Sequence, residues 1–128
     1  MEKSIITGLH HIAILCSNRE ESLRFYETLG FAVYESHVRP ERKDEIIFME
    51  QQNIVLELFI SVKHPQRVSG PEAYGLRHLA LRTDDVEAAH MILLDAGYAP
   101  EPIRTDTFNN RKLFFVKDPD GLPIELHE

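Results

Sequence analysis

Two histidines and two glutamates recur at nearly the same spacing in the two halves of this 128-residue chain. His11 opens the run His-Ile-Ala-Ile, and His78 opens the run His-Leu-Ala-Leu 67 residues later. Glu57 and Glu125 each lie inside a short apolar run, at an offset of 68 residues. A carboxylate in such a run is costly to bury unless it is paired, hydrogen-bonded or bound to a metal. The four residues are therefore candidate ligands of one divalent cation.

Imidazole and carboxylate are ligand types that several divalent metals accept, including Zn²⁺, Ni²⁺, Co²⁺, Mn²⁺ and Fe²⁺. Four protein ligands leave open positions in an octahedral shell, and catalysis needs open positions. Any one of these residues alone would more often be a hydrogen-bonded or solvent-facing side chain. The register that all four share favours the metal site, although the ligand types do not choose among the five metals.

The alternation of side chains along a strand decides between two neighbouring histidines. Residues point to opposite faces with period two, so His10 and His11 face opposite sides of the first strand. The repeat aligns His11 with His78, whereas His10 aligns with Arg77. His11 is therefore the predicted ligand and His10 a structural residue. Cys16 shares the face of His10 and is predicted to be a small core residue rather than a nucleophile.

Composition limits the classes of protein to which the chain can belong. A length of 128 residues suits one domain that buries somewhat under ~70% of its unfolded surface. The net charge of −7 argues against nucleic acid as the main partner. No apolar run approaches the ~20 residues of a membrane span, and no signal peptide is apparent. A single cysteine excludes an internal disulfide, so we expect a cytoplasmic protein.

The duplicated pattern also predicts the order of secondary structure. Residues 8–61 and 75–127 form two pseudo-repeats of a single domain, joined by a linker at 62–74 that contains two prolines and a glycine. In the first repeat, Ser17 and Glu20 match a capping box that would start a helix over about 18–29. Alternation and turn residues place the strands of this repeat at 8–16, 31–38, 45–49 and 54–61.

The second repeat follows the same β-α-β-β-β plan. Its helix would begin at Asp84 or Asp85 and end at Gly97, with His90 at the edge of the buried stripe. The run Asp-Pro-Asp-Gly at 118–121 predicts a turn into the last strand, which carries Glu125. The other strands are expected at 76–82, 99–105 and 112–116.

The chain resembles the vicinal oxygen chelate superfamily over nearly its whole length. The resemblance rests on the two histidine runs, Leu-Gly-Phe at 29–31, Leu-Glu-Leu at 56–58 and the segment from Asp118 to Leu126. Within that superfamily it is most similar to the glyoxalase I (lactoylglutathione lyase) branch of the glyoxalase, bleomycin resistance and dioxygenase family. The resemblance implies an α+β fold in which paired β-α-β-β-β modules form a curved mixed sheet around a divalent metal. The implied ligands are His11, Glu57, His78 and Glu125.

The same resemblance implies an activity. A lyase of the glyoxalase I type acts on a small molecule with two vicinal oxygens and passes through an enediolate, with a carboxylate that moves the proton between neighbouring carbons. The residue matching this carboxylate is Glu125, with Glu57 assisting from the other side. The resemblance also implies a homodimer, and it leaves open whether one site lies within a chain or is shared between two chains.

Two positions depart from the glyoxalase I pattern. Those enzymes commonly hold glutathione with an Arg and an Asn where this chain has Leu15 and Ser61, so glutathione binding is expected to be weak. An Fe²⁺ dioxygenase and a thiol transferase of the same superfamily are alternatives, although such branches usually lack a ligand at the position of Glu57. A non-catalytic module that binds a small molecule is a third possibility.

Cations at the predicted turns could steer an anionic substrate, but charge at turns is usually solvated surface, and we expect that for this set. The set comprises Arg39, Arg42, Lys43, Arg111 and Lys112.

Overall fold

The computed structural model describes residues 3–128. Two helices and eight strands follow one another in this range, in the order β1 (Ile12–Cys16), α1 (Arg19–Thr28), β2 (Ala32–Arg39), β3 (Asp44–Gln51), β4 (Ile54–Ile60), β5 (Leu79–Arg82), α2 (Val86–Asp95), β6 (Arg104–Thr105), β7 (Lys112–Lys117) and β8 (Pro123–His127).

The strands form two four-stranded sheets with the same topology. The first sheet has the order β1-β4-β3-β2, and the second has the order β5-β8-β7-β6. In each sheet the first strand of the repeat runs parallel to the last, and the other pairs are antiparallel. The predicted α+β fold with two β-α-β-β-β modules is thereby confirmed.

Each sheet buries one face and leaves the other open. In β4, Leu56 and Leu58 are fully buried, while Glu57 between them is only partly buried. In β8, Ile124 and Leu126 are buried and Glu125 is again partly buried. Because alternate residues point to opposite faces, the leucines and isoleucines pack toward the helices while both glutamates lie on the faces that no helix covers.

The two halves share one hydrophobic core and are joined by several side-chain contacts. The core cluster includes residues of both helices and both sheets. The ring of Phe25 in α1 packs edge-on against Tyr98, which follows α2, at 5.2 Å between centroids. The hydroxyl of Tyr26 donates to Asp118 Oδ2 at 2.8 Å, and this bond joins α1 to the turn before β8. Helix α1 therefore fixes one half against the other.

The helix ends agree only in part with the sequence patterns. The predicted capping box at Ser17 is wrong, because Asn18 caps α1 by accepting from the Glu21 amide at 3.0 Å. Ser17 instead donates its amide to Asp120 Oδ2 across the two halves. In α2, Asp85 rather than Asp84 is the cap.

Both glycines that were expected to end the helices do so. Gly30 and Gly97 follow α1 and α2 with φ of 102° and 94°. This left-handed conformation is accessible to glycine without strain.

Three predicted strands are shorter in the structure. The strand expected over 99–105 is limited to Arg104–Thr105, since Pro100 and Pro102 have no amide proton to pair with β7. The strands expected at 8–16 and 76–82 begin only at Ile12 and Leu79. Their parallel pairing with β4 and β8 begins at the pairs Ile12–Leu56 and Leu79–Ile124.

Several large apolar side chains are exposed on one copy of the chain. They include Ile5 and Leu9 before β1, Leu15 in β1, and Val62 and Leu76 in and after the linker, all at least half exposed. Exposed apolar side chains mark an interaction surface where they form one contiguous patch. In the part of the chain that the structure describes, neither helix has the length and hydrophobicity required to cross a membrane.

Candidate functional site

The first half brings His11 and Glu57 together. Ala13 is the register partner of Glu57 in the parallel pair of β1 and β4, and His11 lies two residues before Ala13 on the same face. The Nε2 atom of His11 is 3.3 Å from Glu57 Oε1. The imidazole is about a third exposed and the carboxylate mostly covered, so the pair opens toward the uncovered face of the sheet.

His10 supports the ring of His11. Their Nδ1 atoms are 2.9 Å apart, so one ring donates a hydrogen bond to the other. A proton on His11 Nδ1 leaves the Nε2 lone pair facing Glu57, which is the tautomer that a metal ligand requires. The expectation that His10 and His11 face opposite sides of the first strand is wrong, because β1 begins only at Ile12 and the two rings are in contact.

The second half repeats the arrangement with His78 and Glu125. Ala80 and Glu125 are register partners in β5 and β8, and His78 Nε2 lies 3.2 Å from Glu125 Oε1. The ring of Phe115, opposite Glu125 on β7, packs edge-on against His78 at 5.0 Å. Two β-registers therefore create two equivalent His–Glu pairs.

The donor atoms of each pair have a spacing that suits a shared cation. Two ligand atoms bound at about 2.1 Å to one tetrahedral or octahedral metal lie roughly 3.0 to 3.4 Å apart. The observed separations of 3.3 Å and 3.2 Å fall in this range. In the second pair, Arg77 Nη1 donates to His78 Nδ1 at 3.2 Å and would have to release it, which its exposed position permits. The residues of both pairs thus fit a divalent metal.

The two pairs do not meet within one chain. Among residues 3–128, no group of three or more His, Cys, Asp or Glu side chains is placed to hold a metal. Each pair lies on its own sheet, and each supplies two ligands where the sequence pattern predicts four. Of the two arrangements that the sequence left open, this geometry favours ligands contributed by two chains.

Glu125 has a second histidine neighbour that the sequence patterns did not identify. His127 Nε2 lies 3.9 Å from Glu125 Oε2 and 3.2 Å from Asp106 Oδ2. The Glu128 carbonyl beside Nδ1, together with the Asp106 carboxylate, raises the pKa of His127. Period-two alternation from Glu125 could have found His127, but nothing in the local sequence links Asp106 to it.

Other reactive side chains have structural roles. Cys16 is 2% exposed, and burial raises the pKa of its thiol to about 12, which agrees with the predicted core residue. The Asp118 carboxylate orders the turn at 118–121, where Oδ1 accepts from the amides of Asp120 and Leu122. Burial raises the pKa of Asp118. His90, half-buried as expected, lies with its Nε2 3.0 Å from the Glu101 carbonyl.

The two positions that differ from the glyoxalase I pattern do not provide the glutathione contacts of that pattern. Leu15 is 54% exposed on the open face of the first sheet. Ser61 is buried, and its hydroxyl accepts from the Lys63 amide at 3.2 Å. Neither side chain is the guanidinium or amide that the glyoxalase I pattern uses.

Comparison with known proteins gives consistent results over nearly the whole chain. A family model described as the glyoxalase/bleomycin resistance protein/dioxygenase superfamily matches residues 8–126. The chain is 40% identical over 126 residues to the uncharacterised protein YwkD of Bacillus subtilis, covering 97% of this chain and 98% of that protein. It is 30% identical over 125 residues to a probable lactoylglutathione lyase of Vibrio cholerae, covering 91% and 86% of the two chains.

A solved structure of a glyoxalase family protein from Enterococcus faecalis is also similar. It superimposes with a TM-score of 0.92 at 43% identity, covering 98% of this chain and all of that one.

Proposed function

Because the chain belongs to the glyoxalase/bleomycin resistance protein/dioxygenase superfamily, we propose that it is a divalent-metal-dependent lyase of the glyoxalase I type. Its substrate is a small molecule with two vicinal oxygens. The site consists of His11 and Glu57 of one chain and His78 and Glu125 of a second copy, so the active form is a homodimer.

The observation that carries the proposal is the presence of two equivalent half-sites. Each His–Glu pair holds its donor atoms 3.2 to 3.3 Å apart on a face that no helix covers. A second copy that lays its second sheet against the first sheet of this chain would complete four ligands at each of two symmetric positions. Such contact would also cover exposed apolar residues such as Leu15 and Leu76.

The roles of the two carboxylates follow from their surroundings. A bound divalent cation would polarise two adjacent oxygens of the substrate and stabilise the negative charge that develops when a neighbouring C–H loses its proton. Glu125 takes this proton and returns it to the adjacent carbon, because His127, which contacts Asp106, lies beside its Oε2. Glu57, with Phe48 as its register partner, mainly holds the metal.

The substrate is not expected to depend on glutathione. Leu15 and Ser61 supply no guanidinium or free amide where the glyoxalase I pattern has them. The His–Glu pairs support the reaction type. Other residues determine which thiol or carbonyl compound is the substrate.

The test combines metal analysis with an isomerisation assay. Metal-free protein is reconstituted with Ni²⁺, Co²⁺, Zn²⁺, Mn²⁺ or Fe²⁺, and bound metal is measured by elemental analysis. Turnover is measured with hemithioacetals of methylglyoxal formed with glutathione and with 2-mercaptoethanol. We expect about one ion per chain and metal-dependent isomerisation that does not prefer the glutathione adduct.

Each other outcome identifies the part that fails. Absence of retained metal would overturn the ligand set. Bound metal without isomerisation would overturn the lyase and direct attention to the binding module. Oxygen consumption that requires Fe²⁺ would favour the dioxygenase. Glu27→Gln, on the exposed side of α1, is the control that should leave metal content and turnover unchanged.

A further inference from the structure

A cavity beside the second His–Glu pair has the opposite charge to the protein as a whole. It has a volume of about 710 Å³ and lies between the linker and the edge of the second sheet. Four cationic residues line it, Arg67, Arg77, Arg104 and Lys117, against two acids, Glu72 and Glu101. The whole chain has 14 Lys and Arg against 21 Asp and Glu. This local excess of positive charge would attract anions.

Two of the four cations have protein partners. Arg67 Nη2 donates to the carbonyls of Leu76 and Arg77 at 2.9 and 2.8 Å. Arg77 Nε lies 2.8 Å from Glu72 Oε2. These two guanidiniums shape the cavity but have much of their donor capacity in use.

The other two cations keep their donors. Within residues 3–128, the side chains of Arg104 and Lys117 make no hydrogen bond and have no carboxylate within 4.0 Å. The guanidinium of Arg104 lies over the ring of Phe115, 5.6 Å from its centroid. A guanidinium held against an aromatic ring still has its N–H groups available for a carboxylate or phosphate. Arg104 is thus oriented by the ring without being neutralised.

Phe115 connects this cation to the candidate metal ligands. It is the register partner of Glu125, and its ring contacts His78. Lys117 lies two residues farther along β7 on the same face, a distance of about 7 Å. A substrate with its vicinal oxygens at His78 and Glu125 could therefore place an anionic group between Arg104 and Lys117. That group would have to lie a few bonds from the vicinal oxygens.

Beside the aromatic residues of the first half, the corresponding guanidinium is already paired. Phe48 is the counterpart of Phe115, but its ring neighbours are Tyr34 and His37. Arg39, the nearby guanidinium over Phe59, donates to both oxygens of Asp44 at 2.8 and 2.7 Å. Its charge is already compensated, so the substrate's anionic end belongs to the second half.

We propose that Arg104 and Lys117 bind an anionic group of the substrate, a carboxylate, phosphate or phosphonate, a few bonds from the two oxygens that bind the metal. This inference rests on the proposed function and narrows its substrate class to small anionic compounds with vicinal oxygens. It also gives a physical reason why the chain can lack the glutathione contacts at Leu15 and Ser61.

Binding of hydroxamates to the Zn²⁺-loaded protein tests the proposal without turnover. Acetohydroxamate presents two vicinal oxygens alone, whereas succinic monohydroxamate adds a carboxylate and phosphonoacetohydroxamate adds a phosphonate. By calorimetry, we expect at least one of the two acids to bind roughly tenfold or more tightly than acetohydroxamate, because a charge-assisted hydrogen bond is worth about that factor. The stronger of the two identifies the anion.

The variants Arg104→Gln and Lys117→Gln should remove this preference and leave acetohydroxamate affinity, zinc content and thermal stability unchanged. Arg111→Gln is the control, since this exposed cation lies in the second half outside the cavity. The anion site would be overturned if the preference survived in the double variant or were absent from the unmodified protein. Binding of zinc and acetohydroxamate in the same experiments would still support the metal site.

Inorganic phosphate provides an arm that does not need the metal. Phosphate should bind the metal-free protein and lose affinity in Arg104→Gln. If the unmodified protein binds neither zinc nor hydroxamates but binds phosphate in an Arg104-dependent way, the proposed function is overturned and the anion site is supported. Phosphate binding that is independent of Arg104 would count against the site.

Discussion

The two halves of the chain share a backbone plan but present different surfaces around their carboxylates. Glu57 has Phe48 across the strand pair and Phe59 two residues along its own strand. Glu125 has Phe115 across the pair, but His127 occupies the position that corresponds to Phe59. Duplication has therefore kept both His–Glu pairs and changed their neighbours. Under the proposed function, both glutamates bind one metal while only Glu125 handles the proton.

The histidines differ in the same sense. The Nδ1 of His11 faces another imidazole, His10, which can accept its proton. The Nδ1 of His78 faces Arg77, which can only donate. The first half is thus set for metal ligation through Nε2, whereas the second must first release an exposed guanidinium.

The largest expected effect comes from comparing the two glutamates directly. Glu125→Gln should lower kcat by roughly 10² to 10⁴-fold, since it removes the proton-transferring group. Glu57→Gln should act mainly by reducing metal content and lose less kcat per bound ion. Kinetics normalised to metal by elemental analysis separates the two. Equal losses per bound ion would mean that the halves are chemically alike.

The next largest effect is expected when the residues that follow the two glutamates at the same spacing, Phe59 and His127, are exchanged. His127→Phe gives the second half the residue of the first, and it should lower kcat roughly tenfold to a hundredfold, as expected for removal of a group that positions a ligand. Metal content should stay near normal, and Asp106→Asn should act in the same direction. The reciprocal Phe59→His should change kcat little. An effect of Phe59→His as large as that of His127→Phe would remove the distinction between the halves.

A stability difference is expected between the two helices. Tyr26 of α1 donates to the buried Asp118, whereas α2 has Leu93 at the equivalent position and no such hydroxyl. Tyr26→Phe should reduce the free energy of unfolding by about 1 to 3 kcal/mol, because Oδ2 of Asp118 loses its donor. Urea denaturation measures this, with the exposed Tyr74→Phe as control. No change in Tyr26→Phe would show that the bond contributes nothing net.

The smallest effect concerns the ion pair of the first half. The guanidinium of Arg39 lowers the pKa of Asp44 below its usual range. An acid whose pKa is lower in the folded state stabilises the fold above its unfolded pKa of about 3.9, and this contribution disappears as the pH falls through the folded value. Asp44→Asn should therefore be less stable than the natural protein at pH 7, and the difference should shrink as the pH falls below about 3.9, as measured by urea titrations. A constant difference across this range would contradict the assignment.

The sequence predicted the fold well because the repeat carries redundant signals. Each copy contains the same strand, helix and turn residues, so the two β-α-β-β-β modules could be placed from the pattern alone. The failures were local. Ser17 was not the cap because Asp120, from the other half, binds it, and the strand over 99–105 is short because two prolines interrupt its pairing.

Only those residues of the candidate site that recur in both copies of the repeat could be predicted from the sequence. His11 and His78 could be matched to Glu57 and Glu125 by their common offset, and the structure places each histidine beside its glutamate. In the first copy, the positions of the His127–Asp106 contact hold Phe59 and Arg39, and those of the Arg104–Phe115 contact hold His37 and Phe48. These contacts depend on which side chains two distant strands bring together, which the alternation of one strand does not specify.

The most direct measurement of the central claim is complementation between two inactive variants. One carries His11→Ala and Glu57→Ala, and the other carries His78→Ala and Glu125→Ala. Each alone should bind no metal tightly. When the two are refolded together in equal amounts, mixed dimers should contain one complete set of four ligands, so bound metal and turnover should return to about a quarter of the natural protein's values. Native mass spectrometry that shows mixed dimers without any recovered metal would contradict a site shared between two chains.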